Sequence, residues 1–171
     1  GSTSYVSAIL KVIGTLTTCS EEYSEALKVI ICSNGCLPSL YQVLLNDEKN
    51  AASAEKVIMG LIGYSFGDRK GTFDGRVCGG DNESAWLSPT LIINTLDEAF
   101  EKPERVTFVS RAIRILSCLT QNMENAMALG QVPGASLVPK LLTLIGKIND
   151  GEILPPPSPE NEIIDAGSLS E

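Results

Sequence analysis

One pattern occurs three times along this chain, and it restricts the fold more than any other feature. Ala112-Ile-Arg-Ile-Leu-Ser-Cys-Leu-Thr-Gln121 has a near twin in Ile9-Leu-Lys-Val-Ile-Gly-Thr-Leu-Thr-Thr18. In both, an apolar pair precedes a basic residue and another follows it, then come two small residues, Leu and Thr. Glu55-Lys-Val-Ile-Met-Gly-Leu61 is a looser third copy. The apolar positions recur at helical spacing, so each copy predicts an amphipathic helix. Recurrence at long intervals implies stacked helical units in place of one irregular core. Aromatics supply only 5% of the 171 residues, which leaves an aliphatic core better suited to helix packing than to a β-sandwich.

The remaining sequence predicts the other helices through their end signals. The first helix runs from Ser4 to Thr18, and Ser20 caps the next, with Glu21 and Glu22 in its first turn where they favour the helix dipole. Ser33-Asn34-Gly35 ends that helix, and Leu37-Pro38-Ser39-Leu40 opens another. A longer helix is expected over Ala51–Gly63. Ser88-Pro89 restarts the helical pattern, Pro103 begins a helix ending near Asn122, a short one covers Met123–Leu129, and the last covers Ser136–Ile148. Between 66 and 86 the periodicity is lost among five glycines, which predicts a flexible insert of about twenty residues. Pro38, Pro89 and Pro139 align at offsets of 51 and 50, and Lys11, Lys56 and Arg114 at 45 and 58, the last interval containing the insert. Without the insert the period is about 40, within the range of two- and three-helix repeats. The expected organisation is a helical repeat domain over 1–149 and an acidic, proline-rich tail over 150–171, disordered unless bound.

Charge and residue types exclude several functions. Net charge is −8, and all 13 basic residues lie before residue 150, scattered and not arranged as the basic stripe of a nucleic-acid binder. No run of about eighteen apolar residues occurs, so no membrane insertion is expected, and no secretory signal opens the chain. Gly1-Ser2 has the look of a cloning remnant, which predicts that the chain is a piece of something longer. Histidine is absent, removing the commonest general base and every Ser-His or Cys-His pair. The five cysteines are odd in number and never spaced Cys-x-x-Cys, so they predict reduced thiols in a cytoplasmic or nuclear protein, with neither metal site nor cofactor. The glycine-rich insert lacks the Gly-Lys-Ser/Thr ending of a phosphate cradle. What remains of an enzyme reading is Cys78 beside Arg76, with no base in view to activate it.

Ser20–Leu45 with its preceding helix, Gly134–Ile145, and Ala112–Leu119 together resemble the armadillo repeat family: a helix, a glycine, a Leu-Pro-x-Leu helix, then a long third helix. HEAT-type repeats are the alternative. The resemblance covers about residues 4–148, the insert excepted. It implies an all-α fold, a short right-handed α-solenoid whose third helices line a concave groove for extended peptides. Nuclear-import members carry a Trp and, four residues on, an Asn on each lining helix. The matching pairs here are Lys11/Thr15, Lys56/Gly60 and Arg114/Cys118, with neither residue present. A basic rung in each repeat resembles the catenin-type grooves that hold acidic partner segments.

The function implied is therefore a non-enzymatic interaction scaffold, its partner an extended acidic peptide. The alternative for Lys11, Lys56 and Arg114 is the solvated edge of an amphipathic helix. Stacked helices lie about 8–10 Å apart and an extended ligand advances about 3.3 Å per residue, so a fitting ligand carries an acid roughly every third position. The tail motif Glu162-Ile163-Ile164-Asp165 has that spacing and could occupy the groove as a built-in competitor. A structural role is the other reading, in which exposed end faces near Tyr5, Val6 and Ile9, and near Leu141, Leu142 and Ile145, give a homo-oligomer or stack on another subunit.

Overall fold

A computed structural model describes residues 2–79, 84–101, 106–134 and 137–152, with residues 2–3, 98–101 and 106 described by backbone alone. The described chain is all-helical. In order the helices are α1 (Ser2–Thr18), α2 (Glu21–Ser33), α3 (Cys36–Asn46), α4 (Ala51–Ile62), α5 (Pro89–Glu101), α6 (Val106–Leu119), α7 (Met123–Gly130) and α8 (Leu137–Asn149). Outside them the described residues hold one 3-10 turn, Gly67–Arg69, and one isolated bridge, Gly63 to Phe73.

Local chemistry sets the boundaries. Ser20 has extended backbone and its hydroxyl accepts from Tyr23 N–H, so α2 starts where the serine cap predicts. At the other end Gly35 takes φ 79°, left-handed backbone that leaves α3 free to start in a new direction. Asn122 departs from expectation. It does not close α6 but opens α7, its Oδ1 accepting from the Glu124 and Asn125 N–H groups. Pro103 and Ser136, expected to open α6 and α8, lie outside the described residues, as does the tail beyond Glu152.

α3 packs along α4 more extensively than any other pair, and α4 also packs against α1 and α6. The three helices that carry the repeated motif are thus joined through α4. α5 packs against α6, α7 and α8. One aliphatic cluster runs through all of this, from Leu10 of α1 through Leu37, Tyr41, Ile58, Leu61 and Ile115 to Leu144 of α8.

Candidate functional site

Positions four apart lie on one face of a helix, so α1 presents Lys11 with Thr15, and α4 presents Lys56 with Gly60. The fold turns these two faces toward each other. All four residues line one cavity of about 420 Å³ between α1 and α4. Both lysines are exposed, and among the described residues neither ammonium has a hydrogen-bond or ion-pair partner. No Asp or Glu lines the cavity, so its two positive charges are uncompensated. The Thr15 hydroxyl donates to Lys11 O at 2.8 Å and that of Thr18 to Gly14 O at 2.9 Å. Spent as donors on their own helix, they offer only acceptors to a ligand, which leaves the lysines, with the Ser7 and Ser53 hydroxyls, as the donors to an anion. Nothing lies within 4 Å of a Cβ built at Gly60, so that glycine opens the floor of the cavity. Through Gly60 and Thr17 the cavity adjoins a second one of about 390 Å³, walled by Tyr64 and Arg69.

Arg114 and Cys118 are not part of this cavity. Arg114 Nε donates to Glu55 Oε1 at 2.7 Å and a terminal nitrogen donates to Oε2 at 3.0 Å. Arg111 donates to the same Oε2 at 2.6 Å. Glu55 is only 14% exposed, and burial would raise its carboxyl, but the two guanidiniums outweigh that and hold it below the ordinary glutamate value. The third basic rung therefore spends its charge clamping α6 to α4. Cys118 is half-buried at the same seam, its thiol pushed up by burial and then by the Glu55 charge. The sequence reading missed Glu55 although it stands next to Lys56, and missed Arg111 although it lies one helical turn before Arg114.

The insert also departs from expectation. The sequence reading makes 66–86 a flexible excursion; residues 67–72 are indeed exposed, yet the following stretch is folded into the body, with Asp74, Val77 and Cys78 at most 2% exposed. Asp74 is the hub. Its carboxylate accepts from Arg76 N–H at 2.9 Å and from the Arg76 guanidinium at 2.7 Å, and lies 3.2 Å from Lys28 Nζ. Burial opposes ionisation, but these partners prevail and hold the Asp74 carboxyl down at about 2. Lys28 Nζ also donates to Gly63 O at 3.3 Å and sits 3.8 Å over the Tyr64 ring, so its charge is satisfied.

A buried asparagine anchors the other side of the insert. Asn125 of α7 is fully enclosed; its amide donates to Asp74 O at 2.9 Å while its Oδ1 accepts from Cys78 N–H at 2.9 Å and Gly79 N–H at 3.3 Å. A Cβ at Gly79 would stand 2.5 Å from Gly75 O, so this turn needs glycine there. The insert thus ties α2 to α7. Burial pushes the Cys78 thiol up to about 12, which keeps it protonated and unreactive at neutral pH.

Among the described residues no group of three or more His, Cys, Asp or Glu is placed to hold a metal ion, and no single helix is long and apolar enough to cross a membrane. The tail motif Glu162-Ile163-Ile164-Asp165 lies outside the described residues. Comparison with family models, curated proteins and solved structures finds no match to this chain. The armadillo resemblance therefore stands on the chain's own motifs.

Proposed function

We infer that this chain is a non-enzymatic protein-interaction module of the armadillo-like class, and that the cleft between α1 and α4 receives an extended acidic segment of a protein partner. One observation carries this reading: Lys11 and Lys56 flank a single cavity with no acid in its lining and no internal partner for either ammonium. Arg114 is discounted because Glu55 already holds it. Two rungs about 8–10 Å apart meet acids about three residues apart on an extended ligand. Each exposed ion pair contributes only about 0.2–1 kcal/mol, so affinity also needs apolar contact beside the two lysines. The charges set register and partner choice.

The test is fluorescence anisotropy with a labelled peptide carrying Glu-x-x-Asp between apolar residues, against its Gln-x-x-Asn analogue. The acidic peptide should bind more tightly, with affinity falling as salt rises. Lys11→Glu with Lys56→Glu should weaken it at least tenfold while the helical circular dichroism stays unchanged. Equal binding by the double variant would place the interface elsewhere.

A further inference from the structure

α1 has a single charged residue, Lys11, among 17, and it is apolar on two adjacent sides, about a quarter turn apart. Leu10 is buried, with Val6 and Ile13 packed beside it against the core. On the outer side Tyr5, Ile9, Val12 and Leu16 are 74%, 57%, 58% and 42% exposed. Their spacing makes one continuous stripe along the helix. α8 has the same character. Leu144 is buried and Leu137, Leu141 and Ile148 pack inward, while Val138, Leu142 and Ile145 are 62%, 62% and 54% exposed. A continuous exposed apolar stripe on a helix ordinarily marks a contact surface, so both stripes lack a cover.

The two stripes answer each other in register. Laying Lys11 on Lys56 brings Tyr5 onto Asn50, the residue before α4, and Ile9, Val12 and Leu16 onto Ala54, Val57 and Leu61 within it, none of them more than 9% exposed. Laying Pro139 on Pro38 brings Val138, Leu142 and Ile145 onto Leu37, Tyr41 and Leu44 of α3, all fully buried. α3 and α4 are each other's most extensive neighbours. The residues that α1 and α8 leave open thus correspond to positions that are buried in and beside the packed pair α3 and α4.

We propose that this chain self-associates head to tail, with α8 of one copy lying along α1 of the next in the manner of α3 along α4. A cavity of about 180 Å³ between α1 and α3, lined by Val6, Ile9, Leu40 and Val43, gives the incoming helix an apolar seat. The seven stripe side chains each offer on the order of 100 Å² of apolar surface. With the rim around them, that reaches the ~1,000 Å² expected of a specific interface. No charge needs to be desolvated, since the two lysines of α8 pair with Asp97 and Glu152 and neither stripe carries an ionisable group other than the Tyr5 phenol. Because the two surfaces differ, the contact is heterologous and leaves one free stripe at each end of a chain of copies. This proposal is independent of the peptide-binding reading.

Size-exclusion chromatography with light scattering tests it on the full chain. The wild type should gain mass as concentration rises. Ile9→Glu, which blocks α1, and Leu142→Glu, which blocks α8, change exposed residues, so each should keep the wild-type helical circular dichroism and run as a monomer. Mixed together they should form a one-to-one heterodimer, the intact α8 of the first variant meeting the intact α1 of the second. Lys11→Glu with Lys56→Glu should leave the association unchanged. A wild type monomeric at its highest soluble concentration overturns the proposal. So does self-association retained by either single variant, or a mixture that stays monomeric.

Discussion

Replacing Asp74 by Asn tests whether the insert is held by a buried ion pair. The substitution keeps the side chain's size but removes the charge and turns one oxygen into a donor aimed at two cations. Arg76 is 46% exposed and can turn toward water, whereas Lys28, 5% exposed, cannot. Removing one partner of a buried pair costs about 3–5 kcal/mol, because the other charge is stranded. Here part of the loss is offset: Glu25 lies 3.5 Å from Lys28 Nζ, and the Gly63 carbonyl and Tyr64 ring remain. The lower end, about 3 kcal/mol, is expected. In a domain of this size each kcal/mol moves the Tm by about 2–4 °C, so the melting temperature should fall by about 6–12 °C. Urea unfolding at unchanged m measures the energy directly. Adding Lys28→Met removes the stranded cation, so the double variant should be more stable than the two single losses add up to. An Asp74→Asn protein within about 0.5 kcal/mol of wild type, or a strictly additive double variant, would refute the reasoning.

Acid should act through the same carboxylate. Its folded value of about 2 lies below the ordinary 3.8, so its contribution is fully present above pH 4 and is lost as pH falls through 2. At about 1.36 kcal/mol per unit, that contribution is roughly 2 kcal/mol, and Glu55, also depressed, acts in the same direction. Urea midpoints between pH 7 and 2 should fall toward the acid end, and Asp74→Asn should flatten the fall; a variant that loses stability as steeply as wild type would contradict the assignment. In the cavity between α1 and α4, Gly60→Ala should raise stability by about 0.5–1 kcal/mol, because a helix-interior glycine with open space gains propensity without a clash. Gly60→Leu should leave the fold intact in thermal melts but fill the cavity between Lys11 and Lys56 and weaken acidic-peptide binding; unchanged affinity would move the ligand out of that cleft.

The helices were legible because their signals are local. The motif's spacing marks α1, α4 and α6, Ser20 caps α2, and Gly35 adopts the left-handed turn its position demands. The insert was not legible because its burial depends on polar residues far apart in sequence. Asn125 and Asp74 are separated by 51 residues, and no periodicity connects them. A segment without an apolar pattern reads as loop, although Asp74, Arg76 and Lys28 enclose it by pairing. The groove failed in part for a related reason. Counting cations along one face finds Lys11, Lys56 and Arg114 alike, but a charge is available to a ligand only after its internal partners are subtracted. Glu55 removes Arg114 from that set, and Asp74 removes Lys28 from the wall of the adjoining cavity. Lys11 and Lys56 survive the subtraction because Ser7, Gly14, Ser53 and the other residues lining their cavity include no acid. The composition of the facing helix, more than the basic residue itself, therefore decides which cation is left without an internal partner.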